Sequence, residues 1–288
     1  MQTLHLAVLP VVLFACRPTN IPDTAEGTVE YAAARLADYD PGAIWDLLPR
    51  TYQEDITRWA RQLADRLPGG LYEKSFIALG KLGVLLKSRN DALRGATSRM
   101  SAMFGRSTEE DLESVMIALG DINILLANSE LATTERLQIA DLRQFFDGTG
   151  AQILKLASRA LRITGNDPIA NLRDLRCEVL AGGPQPKLKI TVEGTEFDVE
   201  FTQFENKWVP TDLVDNWPQV RAQVASLLNA NSARLAALAF EEPLDQLIDD
   251  LDALLATESR EEFVQEFQAA VREYTDEFQA LRKLFRDR

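Results

Sequence analysis

The apolar residues between Thr28 and Ile163 recur at intervals of three and four, which is the spacing of one face of an α-helix. The clearest stripe follows Ser107 and Glu110, whose spacing is that of a capping box. Its members are Leu112, Val115, Met116, Leu119, Ile122 and Leu126. The pattern predicts helices over about 29–37, 43–67, 71–86, 107–126, 135–146 and 151–163, with the second of these divided near Pro49.

Two segments of this helical region carry further expectations. Residues 71–86 are apolar on several sides, which predicts a central, well-covered helix. Asp147 to Gly150 separates the last two helices and resembles a phosphate-binding loop in composition. No strand precedes this segment and no lysine follows at the required position, so it is interpreted as a helix stop.

The pattern changes at Leu172, where short apolar segments alternate with turn residues. Phe197, Val199 and Phe201 alternate with Asp198, Glu200 and Thr202, which is the period of a strand buried on one face. The same reasoning predicts four strands over about 175–181, 187–193, 196–204 and 207–209. The four strands are expected to form an antiparallel meander that packs against helices.

Helix returns after the strands and continues towards the C-terminus. One helix is predicted from Trp217–Pro218 to about Leu238, and a second begins at Pro243. Ser259 begins a last helix that extends to about Phe285 and pairs with its predecessor as an antiparallel hairpin. The predicted fold class is therefore α+β and predominantly α-helical. A helical region (28–171) and a region of meander and C-terminal helices (172–288) are expected to pack as one unit.

The N-terminal segment has the pattern of an export signal. An uncharged apolar run from Leu4 to Ala15 is followed directly by Cys16, and it is too short to span a bilayer. Leu13-Phe14-Ala15-Cys16 resembles the lipobox of bacterial lipoprotein signal peptides. The resemblance implies a signal peptide over 1–15, a lipid on Cys16 and a polar tether over 16–27. The other interpretation is an ordinary secretory leader with a chance cysteine.

Charge and composition exclude several classes of function. The formal net charge is −13, so the basic surface of a nucleic-acid-binding protein is absent. His5, the only histidine, lies in the predicted leader, which excludes serine–histidine catalysis and histidine-ligated zinc in the mature chain. Cys177 would then have no partner cysteine, and its place on an apolar strand face predicts a buried, unreactive thiol. No cofactor and no metal are predicted.

Aromatic and acidic residues are the remaining candidates for a site. The aromatic set either lines a shared cavity or fills the core, and it consists of Trp45, Tyr52, Trp59, Phe197, Phe201 and Trp208. Asp245 and Asp249 share one helix face, near Asp250 and Asp252. These carboxylates could bind a cation or act as an acid/base pair, but a solvated helix face is the favoured interpretation.

Two short segments resemble a known fold. Asp40 to Leu48 and the strand–turn–strand that ends in Glu205-Asn206-Lys207-Trp208-Val209 resemble the cystatin-like, nuclear transport factor two-like cone fold. The resemblance implies a curved sheet around a long helix with an apolar pocket, and the class has no shared catalytic residues. The segment 71–163 would be an insertion in that fold. The whole chain also resembles uncharacterised exported lipoproteins of planctomycetes and related bacteria.

These observations predict a non-catalytic envelope lipoprotein that acts as an interaction, scaffold or ligand-binding module. It would lie on the periplasmic side of the envelope, held at the membrane by its N-terminal lipid, with an envelope protein or a small apolar ligand as partner. One alternative is a small-molecule carrier with an apolar pocket behind the sheet. The other is a hydrolase that uses only carboxylates.

Overall fold

A computed structural model describes residues 21–66, 69–96, 109–163, 165, 167–229 and 231–272. The described chain consists of helices and one small antiparallel sheet, so the predicted α+β, predominantly helical fold class is confirmed. The helices are α1 (Ala25–Ala37), α2 (Gly42–Leu47), α3 (Arg50–Arg66), α4 (Gly69–Ser88), α5 (Asn90–Ala96), α6 (Glu109–Ala127), α7 (Thr134–Ile139), α8 (Leu142–Phe145), α9 (Ala151–Ile163), α10 (Pro168–Asn171), α11 (Thr211–Asn229), α12 (Asn231–Ala256) and α13 (260–272).

The sheet is a meander whose strands pair in the order β1-β2-β3-β4. The strands are β1 (Arg176–Ala181), β2 (Lys187–Val192), β3 (Thr195–Phe204) and β4 (Lys207–Pro210), within one or two residues of the predicted bounds. Two-residue turns join the last three strands. Glu193 and Gly194 have φ values of 51° and 77°, and Glu205 and Asn206 have 50° and 61°. Consecutive positive φ angles match the twist of antiparallel strands, which explains why both hairpins are tight.

The two faces of the sheet differ as the alternation predicts, except at Phe197, which is on the apolar face but is 51% exposed. On one face Leu188 and Phe201 are 0% and 4% exposed, and they pack with Ala25 of α1 in one apolar cluster. On the other face, Lys187 and Lys189 form ion pairs across β2 and β3, at 2.9 Å to Asp198 and 3.3 Å to Glu196. Burial on one face sets the register, because a slip of one residue would turn the apolar side chains towards water.

The helical core forms where α4 packs against α6 and α12. The backbones of α4 and α6 approach closely at two glycines, and a Cβ atom on Gly83 would lie 2.7 Å from the Gly120 carbonyl oxygen. The most buried side chains of this core include Leu85, Met116 and Phe263. Phe263 is the fourth residue of α13 and packs in the same cluster as α12, consistent with the predicted C-terminal hairpin. The remainder of the predicted last helix, 273–285, lies outside the described residues.

The first helix begins earlier than the sequence predicted. Thr24 caps α1 by accepting a hydrogen bond from the Gly27 N–H at 3.1 Å, so residues 25–27 belong to the helix and not to a tether. The Trp208 indole N–H donates to the Asp23 carbonyl oxygen at 2.7 Å. The contact between Trp208 and Asp23 holds the start of the helix against the sheet. The prediction of a polar tether over 16–27 was therefore wrong for its last three residues.

The segment from Asp147 to Gly150 is not a helix stop. Phe146–Gly150 forms one π-helical turn that joins α8 directly to α9. Asp147 receives a hydrogen bond from Arg143 one turn earlier and lies against Gly42 of α2, where a Cβ atom would collide with its carboxylate. Contacts with α2 therefore keep the chain helical through two glycines that would end an isolated helix.

Two prolines predicted to begin helices lie inside them instead. Pro218 falls within α11, which ends at Asn229, and Pro243 falls within α12, which begins at Asn231. Tertiary contacts stabilise both helices beside the proline. Trp217 stacks on Tyr52 at a centroid distance of 3.9 Å, and Lys74 contacts α12 at Glu241 and Asp245, on both sides of Pro243. These contacts offset the backbone hydrogen bond that each proline removes.

Helix α4 is less covered than its sequence predicted. Ile77 and Val84, seven residues apart, are 49% and 45% exposed, so one face of the helix meets solvent. The other faces pack against α6 and α12. Among the described residues, no helix is both long and apolar enough to cross a membrane.

Candidate functional site

The predicted aromatic set is divided among separate locations. Trp45 packs on Phe146 of the π turn at 5.6 Å between ring centroids. Trp59 and Tyr52 both stack on Trp217 of α11, at 5.5 and 3.9 Å. The remaining three residues belong to the sheet, where Phe201 and Trp208 pack in the cluster against α1 and Phe197 is 51% exposed. The structure therefore does not bring the six residues together around one cavity.

Side chains fill the space behind the sheet. Leu188, with no exposed surface, and Phe201 pack directly against Ala25 and Val29 of α1. This close packing is a core arrangement, in which apolar side chains contact one another without room for a ligand. The aromatic residues of the sheet thus contribute to stability at this location.

The two cysteines have different positions. Cys16 lies outside the described residues. Cys177 is partly buried on β1, and burial raises the pKa of its thiol, with Glu26 and Glu30 of α1 adding to the rise. A raised pKa keeps the group as the thiol, which is neither a good nucleophile nor a good metal ligand.

The four carboxylates considered in the sequence, Asp245, Asp249, Asp250 and Asp252, lie on α12, and two of them form ion pairs with α4. Lys74 Nζ lies 2.7 Å from an Asp245 carboxylate oxygen, and Lys81 pairs with Asp252. These ion pairs join α12 to α4, so Asp245 and Asp252 have a structural role. In the part of the chain that the structure describes, no group of three or more histidine, cysteine or acidic side chains could hold a metal ion.

A polar cleft of about 510 Å³ opens between α1, α2 and the π turn. Its polar side chains are Tyr31, Arg35, Asp38, Tyr39, Asp40, Asp46, Arg143 and Asp147. Four aspartates and two arginines thus line one concave surface. Three uncommon features of the molecule meet there: a hydrogen-bonded arginine–aspartate cluster, a strained tyrosine and an unsatisfied arginine donor.

Arg143 is the centre of the first feature. Its Nε and Nη2 atoms donate to the two carboxylate oxygens of Asp46, both at 2.8 Å, and Nη1 donates to Asp147. The Asp46 hydrogen bonds are the main cause of a guanidinium pKa raised above its usual value. Asp141 holds the start of α8 by accepting the Arg143 N–H at 2.9 Å. Arg143 therefore fixes the orientation of two carboxylates at once.

Tyr39 is the strained residue, with a φ of 60° in the left-handed region that few non-glycine residues adopt. Its hydroxyl lies 3.0 Å from Ser158 Oγ and accepts a hydrogen bond from Arg162 at 3.3 Å. Ser158 is fully buried and donates to Asp167, with oxygen–oxygen distances of 2.8 and 3.0 Å. This network links the end of α1 to α9 and holds Tyr39 at the edge of the cleft.

Asp167 completes that network and carries a lowered pKa. Burial alone would raise the pKa of the carboxyl group, but hydrogen bonds from the Ala170 N–H, Ser158 and Arg162 outweigh burial. The charged form of Asp167 is therefore the form that the fold stabilises. The carboxylate also caps α10, because the Ala170 N–H bond satisfies a donor in its first turn.

Arg35 contributes the third feature. Its guanidinium pairs with Asp40 and lies over the Tyr31 ring at 5.9 Å from the ring centroid. Its Nε atom is buried and has no hydrogen-bond partner among the described residues. An unsatisfied buried donor costs free energy, and such costs recur at functional sites.

The exposed carboxylates give the cleft its chemistry. Asp38 pairs with Arg173 at 3.4 Å, and Asp46 and Asp147 pair with Arg143, but the three side chains are still 47%, 37% and 39% exposed, so each keeps acceptor positions towards solvent. A surplus of aspartates over arginines makes the cleft attractive to hydrogen-bond donors. The arrangement can therefore orient a small polar ligand through fixed acceptors.

No protein-family model, no curated protein and no solved structure matches this chain. The resemblances to exported lipoproteins and to the cone fold therefore stay predictions. The class of protein that the structure defines is a predominantly helical α+β fold with a four-stranded meander.

Sequence reasoning missed the cleft. Asp46 and Arg143 are 97 positions apart, and neither lies in a motif that would single it out. The only local signal was Asp147 to Gly150, which was interpreted as a helix stop. The φ of Tyr39 leaves no sequence signal, because tyrosine is not a residue that favours a positive φ angle.

Proposed function

We propose that this protein is a non-catalytic binding module of the cell envelope that holds a small polar ligand in the cleft around Arg143. It is exported and held at the membrane by a lipid on Cys16. The observation that carries the proposal is Arg143, which forms a bidentate pair with Asp46 and a third hydrogen bond with Asp147, and so holds two exposed carboxylates beside the π turn. Fixed acceptors lower the entropic cost of binding a ligand.

The ligand class follows from the charges of the cleft. Asp38, Asp46 and Asp147 offer acceptors, and the excess of negative charge disfavours an anion. A compound that carries several hydroxyl or amino groups provides matching donors. We therefore assign the cleft to a neutral or cationic ligand rich in donors, such as an amino sugar or a polyamine.

No comparable observation supports the two alternative functions, a carrier of an apolar small molecule and a hydrolase that uses only carboxylates. An apolar carrier needs space behind the sheet, where Leu188 and Phe201 are packed against α1. A carboxylate hydrolase needs an acid and a base free to exchange protons. In the cleft, Asp46 and Asp147 both accept hydrogen bonds from Arg143, an arrangement that favours binding.

Membrane attachment is tested by the intact mass of the protein from the membrane fraction of its native host. The expected denatured mass is that of residues 16–288 plus a diacylglyceryl group and an acyl chain. A ligand retained under native conditions adds a mass that denaturation removes. An unmodified Cys16, or a retained Met1, would overturn the lipoprotein part of the proposal and leave the cleft untouched.

Ligand binding is tested by calorimetric titration of the protein with glucosamine, putrescine and gluconate. We expect glucosamine or putrescine to bind and gluconate, which is anionic, to bind at least about tenfold more weakly. Asp46→Asn removes one charge and one bidentate pair, so it should weaken binding about tenfold. Asp249→Asn makes the same chemical change on an exposed part of α12 and serves as the control. Tighter binding of gluconate, or equal losses in both variants, would contradict the assignment.

A further inference from the structure

A second concave surface lies between α3 and the α7–α8 segment; it shares no lining residue with the cleft, although its Trp45 and Leu142 directly precede Asp46 and Arg143 of the cleft in the chain. It has a volume of about 740 Å³, and we name it the arginine groove. The residues that define it are Trp45, Arg50, Arg58, Arg61, Ile139 and Leu142. Its length follows α3, because Arg50 and Arg61 lie three helical turns apart.

The charge of the arginine groove opposes that of the whole chain. Three exposed arginines of α3 line it together with two acidic residues, Glu54 and Asp141, so the lining has a surplus of one positive charge in a protein whose formal net charge is −13. Arg50 pairs with Glu54 at 2.6 Å, and Arg58 pairs with the buried Asp55. Arg61 has no ion pair or hydrogen bond with any residue that the structure describes. The groove thus offers at least one guanidinium that has no partner among the residues described.

The apolar part of the arginine groove is equally unusual. Ile139, the last residue of α7, is 83% exposed, the largest value among the exposed apolar side chains of the described chain. It lies beside Trp45 and Leu142, which are each 8% exposed and form an apolar floor. An exposed isoleucine over an apolar floor, with arginines on the opposite wall, has the anatomy of a small protein-binding surface.

We propose that the arginine groove binds an acidic, amphipathic segment of a partner protein. Apolar side chains of that segment contact Ile139 and Trp45, and its carboxylates pair with Arg61 and Arg58. The choice of a peptide over a membrane rests on shape, because a trench between two helices accommodates a segment better than a flat bilayer. The acidic character of the segment rests on the local surplus of arginines over acidic residues in the groove lining.

The test uses a labelled helical peptide of leucine and glutamate and a matched peptide of leucine and glutamine, with fluorescence anisotropy as the readout. We expect the glutamate peptide to bind about tenfold more tightly than the glutamine peptide. Its affinity should fall as salt is raised, because charge pairs at an exposed surface are screened.

Two double variants locate the binding. R61E/I139S should weaken binding of the glutamate peptide about tenfold or more. K155E/L227S changes one exposed cation on α9 and one exposed apolar residue on α11, outside the groove, and should leave affinity within about twofold. Circular dichroism and thermal unfolding of each variant report whether it is folded.

Several outcomes would contradict the proposal. Equal affinity for the two peptides would show that the arginines do not contribute to recognition through charge. Equal losses of affinity in the two variants would show that the peptide binds outside the groove. Binding to vesicles of phosphatidylglycerol without binding to the glutamate peptide would identify a membrane-contacting surface instead. Concentration-dependent self-association that R61E/I139S abolishes, with no peptide binding, would identify a second copy as the occupant.

Discussion

The cleft and the arginine groove both contain arginines, but the central arginine of the cleft is paired with carboxylates and one arginine of the groove has no partner among the described residues. In the cleft, Arg143 forms hydrogen bonds with two aspartates, and the adjoining Tyr39–Ser158 contact joins a buried network. In the groove, Arg61 has no partner among the described residues, and Ile139 beside it is 83% exposed. The cleft is organised before any ligand arrives, whereas the groove leaves charge and apolar surface for a partner to cover.

The difference has a consequence for stability. Paired and buried polar groups contribute to folding, and removing one leaves its partners unsatisfied. Exposed, unpaired charges contribute almost nothing to folding and are available for recognition. Substitutions should therefore have large effects on stability in and beside the cleft and small effects in the groove.

Asp167→Ala is expected to have the largest effect, a loss of about 3 kcal/mol in the free energy of unfolding. The change removes the acceptor of Ser158 and Arg162 and the cap of α10. Urea unfolding monitored by circular dichroism measures the effect. A loss below about 1 kcal/mol would show that the network does not stabilise the fold.

Acid should weaken the same network, by less than the full deletion of the side chain. The folded-state pKa of Asp167 is lowered, so its contribution is complete above the unfolded-state pKa of about 4 and is lost as pH falls through the folded-state value. Urea unfolding from pH 6 to pH 2 should show this loss in the native sequence. Asp167→Asn, which does not titrate, should show a shallower decline over the same range.

Arg143→Lys is expected to cost about 1 kcal/mol, because a single ammonium group cannot reproduce the bidentate contact with Asp46. The half-exposed position of the side chain keeps this effect below that of Asp167→Ala. Thermal unfolding measures the change. An unchanged melting temperature would mean that the arginine–aspartate cluster is dispensable for folding.

Arg61→Gln should change the free energy of unfolding by less than about 0.5 kcal/mol. Arg61 has no described partner to lose, so the substitution only removes an exposed charge. A larger loss, measured by urea unfolding beside the native sequence, would reveal a structural role and break the contrast with the cleft.

Sequence patterns predicted the sheet well and the cleft not at all. The alternation around Val199 and the turns at Gly194 and Asn206 depend on a few neighbouring residues, and the structure places strands and turns there. The cleft depends on Asp46 meeting Arg143 across 97 positions, which no local pattern records. Whether the aromatic set fills the core or lines a cavity was left open, because spacing cannot distinguish a filled core from a cavity.

The prolines and the π turn show that local patterns can also mispredict where a single helix begins or ends. Pro218 and Pro243 are strong local signals for a helix start, yet Tyr52 and Lys74 contact the helices beside them and keep α11 and α12 continuous. Intrinsic preferences of about 3 kcal/mol per proline are within the range that several tertiary contacts offset.

The sequence by itself determined the fold class, the four-stranded meander and the position of most helices. Those features follow from hydrophobic periodicity and turn chemistry, which act between residues close in the chain. Only the tertiary structure decided that α8 continues into α9, that Tyr39 adopts a positive φ angle and that Arg61 stays without a described partner. Each of these depends on contacts between distant segments, and such contacts exist only after the chain has packed.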